Sequence, residues 1–240
     1  MVNKLIGFLF AAFSLHPGLG QTHFSGFKMA KYKRVPIRSQ VSPADNLRNV
    51  TISFPQSLQQ GKIEIRLQEI GQSDSTKLVV FENARQVQEL ILPNPIWFIG
   101  DTAYITDLNH DNRPDLKFYI YGTGNGLAGS ISTKVYLLSG KKGFTLVSFT
   151  DFSAEAEYDV DNDGKFEILS CNHTYKDEHS YWAYNVFSLQ NNKLVNISKK
   201  LQYPLWTKHL EKSNNIVAKN IKPADRIKEY RNSPDYIQYR

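Results

Sequence analysis

Two short acidic segments share the same spacing of oxygen-bearing side chains. The first is Asp107–Asp115, with the sequence DLNHDNRPD, and the second is Asp159–Glu167, with the sequence DVDNDGKFE. Each has an Asp, Asn or Glu at positions 1, 3, 5 and 9. Alternate side chains of a tight loop converge on one point, and Ca²⁺ takes about six to eight oxygen ligands. The sequence therefore predicts two calcium-binding loops.

The predicted ligands are side-chain oxygens plus one backbone carbonyl, at position 7, in each loop. They are Asp107, Asn109, Asp111, Arg113 (carbonyl) and Asp115 in the first loop, and Asp159, Asp161, Asp163, Lys165 (carbonyl) and Glu167 in the second. Position 6 needs a sharp turn, which Gly164 allows, and Asn112 also tolerates left-handed backbone there. His110, at position 4, is expected to point outward.

These loops differ from EF-hands. An EF-hand requires Glu at position 12 and helices on both sides, whereas position 12 is Phe118 in the first loop and Ser170 in the second. Both loops run directly into predicted strands, Leu116–Tyr121 and Phe166–Leu169. A single loop of this kind would also suit a plain polar turn, but two loops with one spacing favour metal binding.

The charge distribution supports this prediction. The net charge is +6, but residues 41–198 hold thirteen Lys and Arg against nineteen Asp and Glu, a net of −6. The two loops hold seven of those acids, and without them the same stretch would carry +1. Packed carboxylates repel one another unless a cation offsets them. The basic residues lie toward the two ends, which argues against a nucleic-acid-binding function for the central part.

Residues 46–198 are predicted to form a mostly β domain. Short β-branched and aromatic runs alternate there and are separated by Gly, Asn, Asp and Ser. The candidate strands are Lys62–Leu67, Lys77–Phe81, Glu89–Leu92, Ala103–Thr106, Leu116–Tyr121, Ile131–Leu137, Phe144–Phe149, Phe166–Leu169, Tyr181–Leu189 and Lys193–Ile197. Short turns between strands favour antiparallel pairing, so we expect an antiparallel sandwich or a propeller-like sheet assembly.

The two ends are predicted to be distinct from this domain. Residues 1–20 match a signal peptide: Lys4 precedes the apolar run Leu5–Leu15, and small residues follow. No later apolar run is long enough to span a bilayer. Residues 21–45 form a basic segment, and residues 199–240 form a basic tail, partly disordered or with short helices at Leu205–Ile216 and Ala224–Tyr230. We therefore expect a secreted or periplasmic protein of the bacterial cell envelope, without an integral membrane segment after signal removal.

The loop pattern followed by a strand resembles the FG-GAP and VCBS-type calcium repeats of integrin-like β-propellers. The order of loop, Gly-rich turn, strand, second loop and aromatic strand also resembles small bacterial periplasmic proteins with a lysozyme-inhibitor-like fold. The resemblance covers roughly residues 97–198 and implies calcium as the cofactor. Asn112 departs from the usual Gly of these repeats and Glu167 from the usual Asp, and two loops are fewer than a complete propeller would need.

The other motifs give weaker evidence for a functional site. Gly124–Gly129 matches GxGxxG, but a β-branched strand follows it instead of a helix, so we interpret it as a hairpin connection. His173 and His179 lack the spacing of a zinc site, and Cys171 is expected to be a buried apolar residue. Core and strand-edge positions are expected for a set of aromatic residues: Tyr175, Tyr181, Trp182 and Tyr184.

The predicted function is a non-enzymatic binding module with no catalytic residues and a protein or cell-wall glycan partner, such as the target of a lysozyme-type inhibitor. Two alternatives remain open. A structural surface protein would gain stability from calcium without a tight partner. A hydrolase acting on cell-envelope material would need a carboxylate pair outside the loops, for which Glu155 and Glu157 are the candidates.

Overall fold

The regular secondary structure of the described part of the chain is almost entirely β-strand, joined by turns and loops. The computed structural model describes residues 24, 26–36, 49–53, 62–70, 75–92, 98–100, 102–121, 131–140, 143–152, 156–176, 178–191, 193–201, 205–208, 222, 224 and 236–239. The strands are β1 (Lys28–Met29), β2 (Lys33–Pro36), β3 (Asn49–Ser53), β4 (Ile63–Glu69), β5 (Thr76–Glu82), β6 (Arg85–Leu92), β7 (Phe98–Ile99), β8 (Thr102–Thr106), β9 (Asp115–Tyr121), β10 (Ser132–Gly140), β11 (Gly143–Asp151), β12 (Tyr158–Asp159), β13 (Ile168–Lys176), β14 (His179–Gln190), β15 (Lys193–Asn196), β16 (Leu205–Lys208) and β17 (Tyr236–Tyr239). The predicted mostly β fold is confirmed.

The strands form three larger antiparallel sheets and one small one. The middle sheet has seven strands in the order β17-β11-β10-β9-β8-β2, and β7 also pairs with β9. The first outer sheet has the order β3-β4-β5-β6. The second outer sheet has the order β13-β14-β15, and β16 also pairs with β14. Strands β1 and β12 pair separately.

The first hydrophobic core lies between the first outer sheet and one face of the middle sheet. Strand β4 shows why it forms: Ile63, Ile65 and Leu67 are fully buried, whereas the residues between them face outward. From the middle sheet, Phe118 and Val135 belong to the same cluster. Alternation with a period of two gives each strand one apolar face, so these two sheets pack face to face.

The second core lies on the opposite face of the middle sheet. There Phe149 contacts Phe187 of the second outer sheet, with ring centroids 5.3 Å apart. Because the middle sheet is covered on both faces, β9 and β10 are buried at nearly every position. This face-to-face stacking corresponds to the sandwich alternative of the sequence prediction.

A third cluster covers the far face of the second outer sheet. Trp182 and Tyr184 point into it together with Cys171, which is buried as expected. Phe24 closes this cluster, with its ring 5.5 Å from Tyr158. The sequence placed the aromatic run at core and strand-edge positions. Accordingly, Tyr181, Trp182 and Tyr184 are buried, whereas Tyr175 is exposed.

Segments on both flanks of residues 46–198 supply strands to these sheets. In the basic N-terminal segment, β1 pairs with β12 and β2 pairs with β8. In the tail, β17 pairs with β11. Residues Leu205–Lys208 form strand β16 on β14, where the sequence suggested the start of a helix. The reason is that β14 is long enough to pair with β15 near one end and β16 near the other, which satisfies the backbone of both.

Several sequence expectations concern residues outside the described ranges. These include the signal peptide at 1–20, the Gly-rich motif at 124–129, and residues 209–216 and 225–230 of the tail. Strands β9 and β10, which flank the Gly-rich motif, pair antiparallel with each other. Within the described ranges, no helix has the length and apolar character needed to cross a membrane.

Truncating the aromatic contact in the second core should strongly destabilise the protein. Phe187 is fully buried, so Phe187→Ala should lower the free energy of unfolding by about 3–5 kcal/mol through lost burial and the remaining cavity. Val87 is 42% exposed, so Val87→Ala should change it by less than about 0.5 kcal/mol. Urea denaturation measures both, and equal effects would contradict the assigned core.

Candidate metal-binding loops

Both acidic segments form loops at the entry to a strand, as the sequence predicts. The first loop, Asp107–Asp115, connects β8 to β9, and its last residue begins β9. The second loop, Asp159–Glu167, connects β12 to β13. Its ends are held by a pair of backbone hydrogen bonds between Tyr158 and Glu167, with N···O distances of 3.2 and 2.9 Å. Each loop is therefore anchored by sheet structure.

The backbones of the two loops turn in the same way. Position 4 is left-handed in both, with φ of 56° at His110 and 61° at Asn162. Position 6 is also left-handed, with φ of 65° at Asn112 and 89° at Gly164. The turn predicted for position 6 is confirmed. The left-handed turn at position 4 was not predicted, although Asn162 carries a signal for it because Asn adopts this conformation readily.

The same hydrogen bond closes each loop. The backbone N–H of position 2 donates to the carboxylate of position 9, from Leu108 to Asp115 at 2.9 Å and from Val160 to Glu167 at 2.8 Å. Both carboxylates are buried, with 1% of each residue exposed. Hydrogen bonds to charged acceptors are stronger than neutral ones. The position 9 acid thus holds the loop closed and keeps its charge inside it.

Two further hydrogen bonds recur at equivalent positions. The N–H of position 5 donates to the side chain at position 3, from Asp111 to Asn109 at 3.1 Å and from Asp163 to Asp161 at 3.3 Å. The N–H of position 7 donates to the carboxylate of position 5, at 2.9 Å in the first loop and 2.8 Å in the second. The two loops therefore share one local fold as well as one spacing.

The second loop brings three acids together. Asp159, Asp161 and Glu167 each offer an oxygen, and these oxygens lie within 4.8 Å of one another. Oδ1 of Asp159 has no hydrogen-bond partner among the described residues, although only 5% of that residue is exposed. A buried anionic oxygen without a donor is unfavourable unless a cation approaches it. These residues therefore fit a divalent ion. Asp163, which is exposed, lies outside this triad.

In the first loop, more of the carboxylate oxygens accept hydrogen bonds from backbone N–H groups. Asp107 accepts hydrogen bonds from the N–H groups of Asp111 and Asn112, at 3.0 and 2.8 Å. Asp115 accepts from Ser139 at 2.8 Å in addition to its bond with Leu108. Carboxylate oxygens have more than one lone pair, so these bonds leave further acceptor capacity. The ligand roles of this loop, and of the Arg113 and Lys165 carbonyls, stay predictions.

Burial raises the pKa values of two predicted ligands to about 7. It raises the pKa of Asp115 to about 7, and the charges of Asp111 and Asp107 add to this rise against the hydrogen bonds from Leu108 and Ser139. Burial likewise raises the pKa of Glu167 to about 7, and the other acids of the second loop add to it. Each of these two carboxyls therefore exchanges its proton near pH 7.

Sequence reasoning missed two lysines near these loops. The Lys200 ammonium lies 3.3 Å from Oδ2 of Asp161, and the lysine side chain is 71% exposed. The Lys117 ammonium lies 2.7 Å from Oε1 of Glu157, and both side chains are buried. Burial raises the pKa of Glu157 well above its usual value, and a hydrogen bond from its own backbone opposes that rise. No spacing rule joins residues 39 or 40 positions apart, so the sequence carried no signal for either pair.

Calcium stabilisation should increase as the pH rises through 7. Protons compete with the ion for Asp115 and Glu167, whose pKa values are raised to about 7. Unfolded Asp and Glu titrate near about 4, so the metal-free protein should lose stability between about pH 4 and 7, because the unfolded carboxyls release their protons there while the folded ones still hold them. Melting curves with and without Ca²⁺ at pH 5.5 and 8 measure both trends. A calcium gain that is larger at pH 5.5 would contradict the ligand role of these two acids.

Comparisons with known proteins identify no relative of this chain. No protein-family model matches it, and neither the curated proteins nor the solved structures contain a match. Its two loops are therefore the features that bear on its function.

Proposed function

We propose that this chain is a calcium-binding, non-enzymatic binding module that acts outside the cytoplasm on a protein or cell-wall glycan. The observation that supports metal binding most directly is a buried oxygen of Asp159, within a triad of acids, that has no hydrogen-bond partner among the described residues. The matching backbone of the first loop supports a second ion. Ca²⁺ suits such loops better than Mg²⁺, which keeps several waters and seldom uses all-protein cages.

Calcium has a structural task in this proposal. The first loop holds three carboxylates and the second holds four, and the two loops lead directly into strands β9 and β13. An ion that binds the folded loops and not the unfolded chain stabilises the fold by mass action, by about 2.7 kcal/mol at a hundred times its dissociation constant. The loops would then be ordered wherever calcium is abundant, as it is outside cells.

The position of Glu157 weakens the hydrolase alternative. Its carboxylate is 1% exposed and accepts hydrogen bonds from Lys117 at 2.7 Å and Tyr136 at 2.6 Å. A carboxylate that acts on a glycan must reach the scissile bond, which this side chain cannot do from its buried position. Glu155, the other candidate, lies outside the described residues. The burial of Glu157 therefore favours binding over catalysis.

Removing one ligand from each loop tests the calcium sites. Asp163→Ala and Asp111→Ala should each lower the calcium-dependent gain in melting temperature, because each removes an exposed position 5 carboxylate. Each loss should be a substantial part of the wild-type gain, on the order of 1–3 kcal/mol. Glu89→Ala is the matched control, since Glu89 is an exposed acid paired with Lys77 far from the loops. An unchanged gain in both loop variants would refute the sites, and added Mg²⁺ should reproduce little of the gain.

A pull-down from a bacterial cell-envelope extract tests the partner. We expect a partner to be retained in the presence of Ca²⁺ and lost with chelator, since the loops that shape the surface then lose their ions. The resemblance to lysozyme-inhibitor-like proteins makes a lysozyme the first purified target to test. Calcium-dependent stability with no retained partner would instead favour a structural surface protein.

A further inference from the structure

The two loops contact each other directly. The backbone N–H of Phe166, at position 8 of the second loop, donates to the carbonyl of Leu108, at position 2 of the first, at 3.2 Å. The Phe166 ring also packs edge-on against the His110 ring, with centroids 5.4 Å apart. Leu108 and Phe166 belong to the same buried cluster. A shift of either loop would therefore disturb the other.

A buried ion pair joins the strands that carry the loops. Lys117 lies two residues after Asp115, the last predicted ligand of the first loop, and Glu157 lies two residues before Asp159, the first predicted ligand of the second. The ammonium and carboxylate are 2.7 Å apart, and their side chains are only 4% and 1% exposed. Breaking such a pair leaves an uncompensated buried charge, so the pair resists separation of β9 from the residue that precedes β12.

We propose that the two loops form one coupled two-ion unit, in which Ca²⁺ at either loop raises the affinity of the other. The inference rests on the proposed calcium binding. The connections run through the backbone at position 2 of one loop and position 8 of the other, and position 2 also donates the closing hydrogen bond to position 9. Ordering one loop around an ion therefore fixes a backbone segment that the other loop uses, so the second ion meets a site whose ordering cost is already reduced.

Electrostatic repulsion between the two ions opposes this effect but should not exceed it. With Arg113 and Lys165 counted, the first loop carries a formal charge of −2 and the second −3, so neither becomes positive after binding one Ca²⁺. The position 5 carboxylates Asp111 and Asp163 are exposed, and solvent and salt screen charges over about 8 Å at physiological ionic strength. The contacts made by Leu108 and Phe166, and the Lys117–Glu157 pair, are buried, so solvent does not weaken them. The sign of the coupling is therefore positive.

Calorimetric titration of the full chain with Ca²⁺ tests the proposal through a thermodynamic cycle. Asp111→Ala leaves the second loop to bind alone, and Asp163→Ala leaves the first. The wild-type association constant for two ions should exceed the product of the two single-site constants by about five-fold or more, the usual lower range of coupling between linked sites. Circular dichroism of each variant checks that it is folded.

Two variants locate the coupling without altering a predicted ligand. His110→Ala removes the ring contact with Phe166, and it should reduce the five-fold excess. His179→Ala is its matched control, because His179 is also exposed and contacts an aromatic ring edge-on, that of Tyr181, and it should leave the excess unchanged. Lys117→Met combined with Glu157→Gln removes both charges of the buried pair together, and it should reduce the excess further.

The outcomes separate the coupling from the calcium sites themselves. The wild-type protein could bind two ions with an association constant equal to, or smaller than, the product of the two single-site constants. That result would overturn the coupling and leave the proposed function intact. An excess that persists in both the His110→Ala and the Lys117→Met/Glu157→Gln proteins would overturn the assigned route. No binding heat in the wild-type protein at millimolar Ca²⁺ would overturn both proposals.

Discussion

Seven carboxylates lie in two loops that touch each other, and carboxylates at short range repel one another unless their charge is offset. The chain supplies part of the offset itself. Backbone N–H groups donate to the position 9 and position 5 carboxylates, Lys200 approaches Asp161, and burial holds the pKa of Asp115 and Glu167 near 7. Asp159 is left with a buried oxygen that has no described partner. A divalent ion would complete this arrangement.

The sheets explain why the loops come together. The middle sheet fixes β8 and β9 at the ends of the first loop, and the second outer sheet fixes β13 at the end of the second. The basic N-terminal segment contacts the approach to each loop. Strand β2 pairs with β8, which leads into the first loop, and β1 pairs with β12, which leads into the second. The second core packs the middle sheet against the second outer sheet through contacts such as that between Phe149 and Phe187.

The buried Lys117–Glu157 pair lowers the free energy of unfolding through its desolvation. Burying two charges between packed sheets carries a desolvation penalty that a pair of apolar residues would avoid. The geometry suggests what is gained: with Tyr136 as a third partner, the pair fixes the segment before Asp159 relative to the strand after Asp115. Under the proposed calcium binding, this positioning would matter more than net stability, because metal ligands must converge within a narrow range of distances.

The sequence alone determined the strands with clear alternation, such as β4 and β9, and the turn geometry at Gly164 and Asn112, because side-chain period and local backbone preference are properties of neighbouring residues. It did not show that Leu205–Lys208 would pair as a strand, that Lys117 would be buried against Glu157, or that Phe166 would bond to Leu108. Each of these contacts joins segments far apart in the chain. Only the stacking of the sheets brings such segments together, and with it the two loops that the sequence had presented as separate sites.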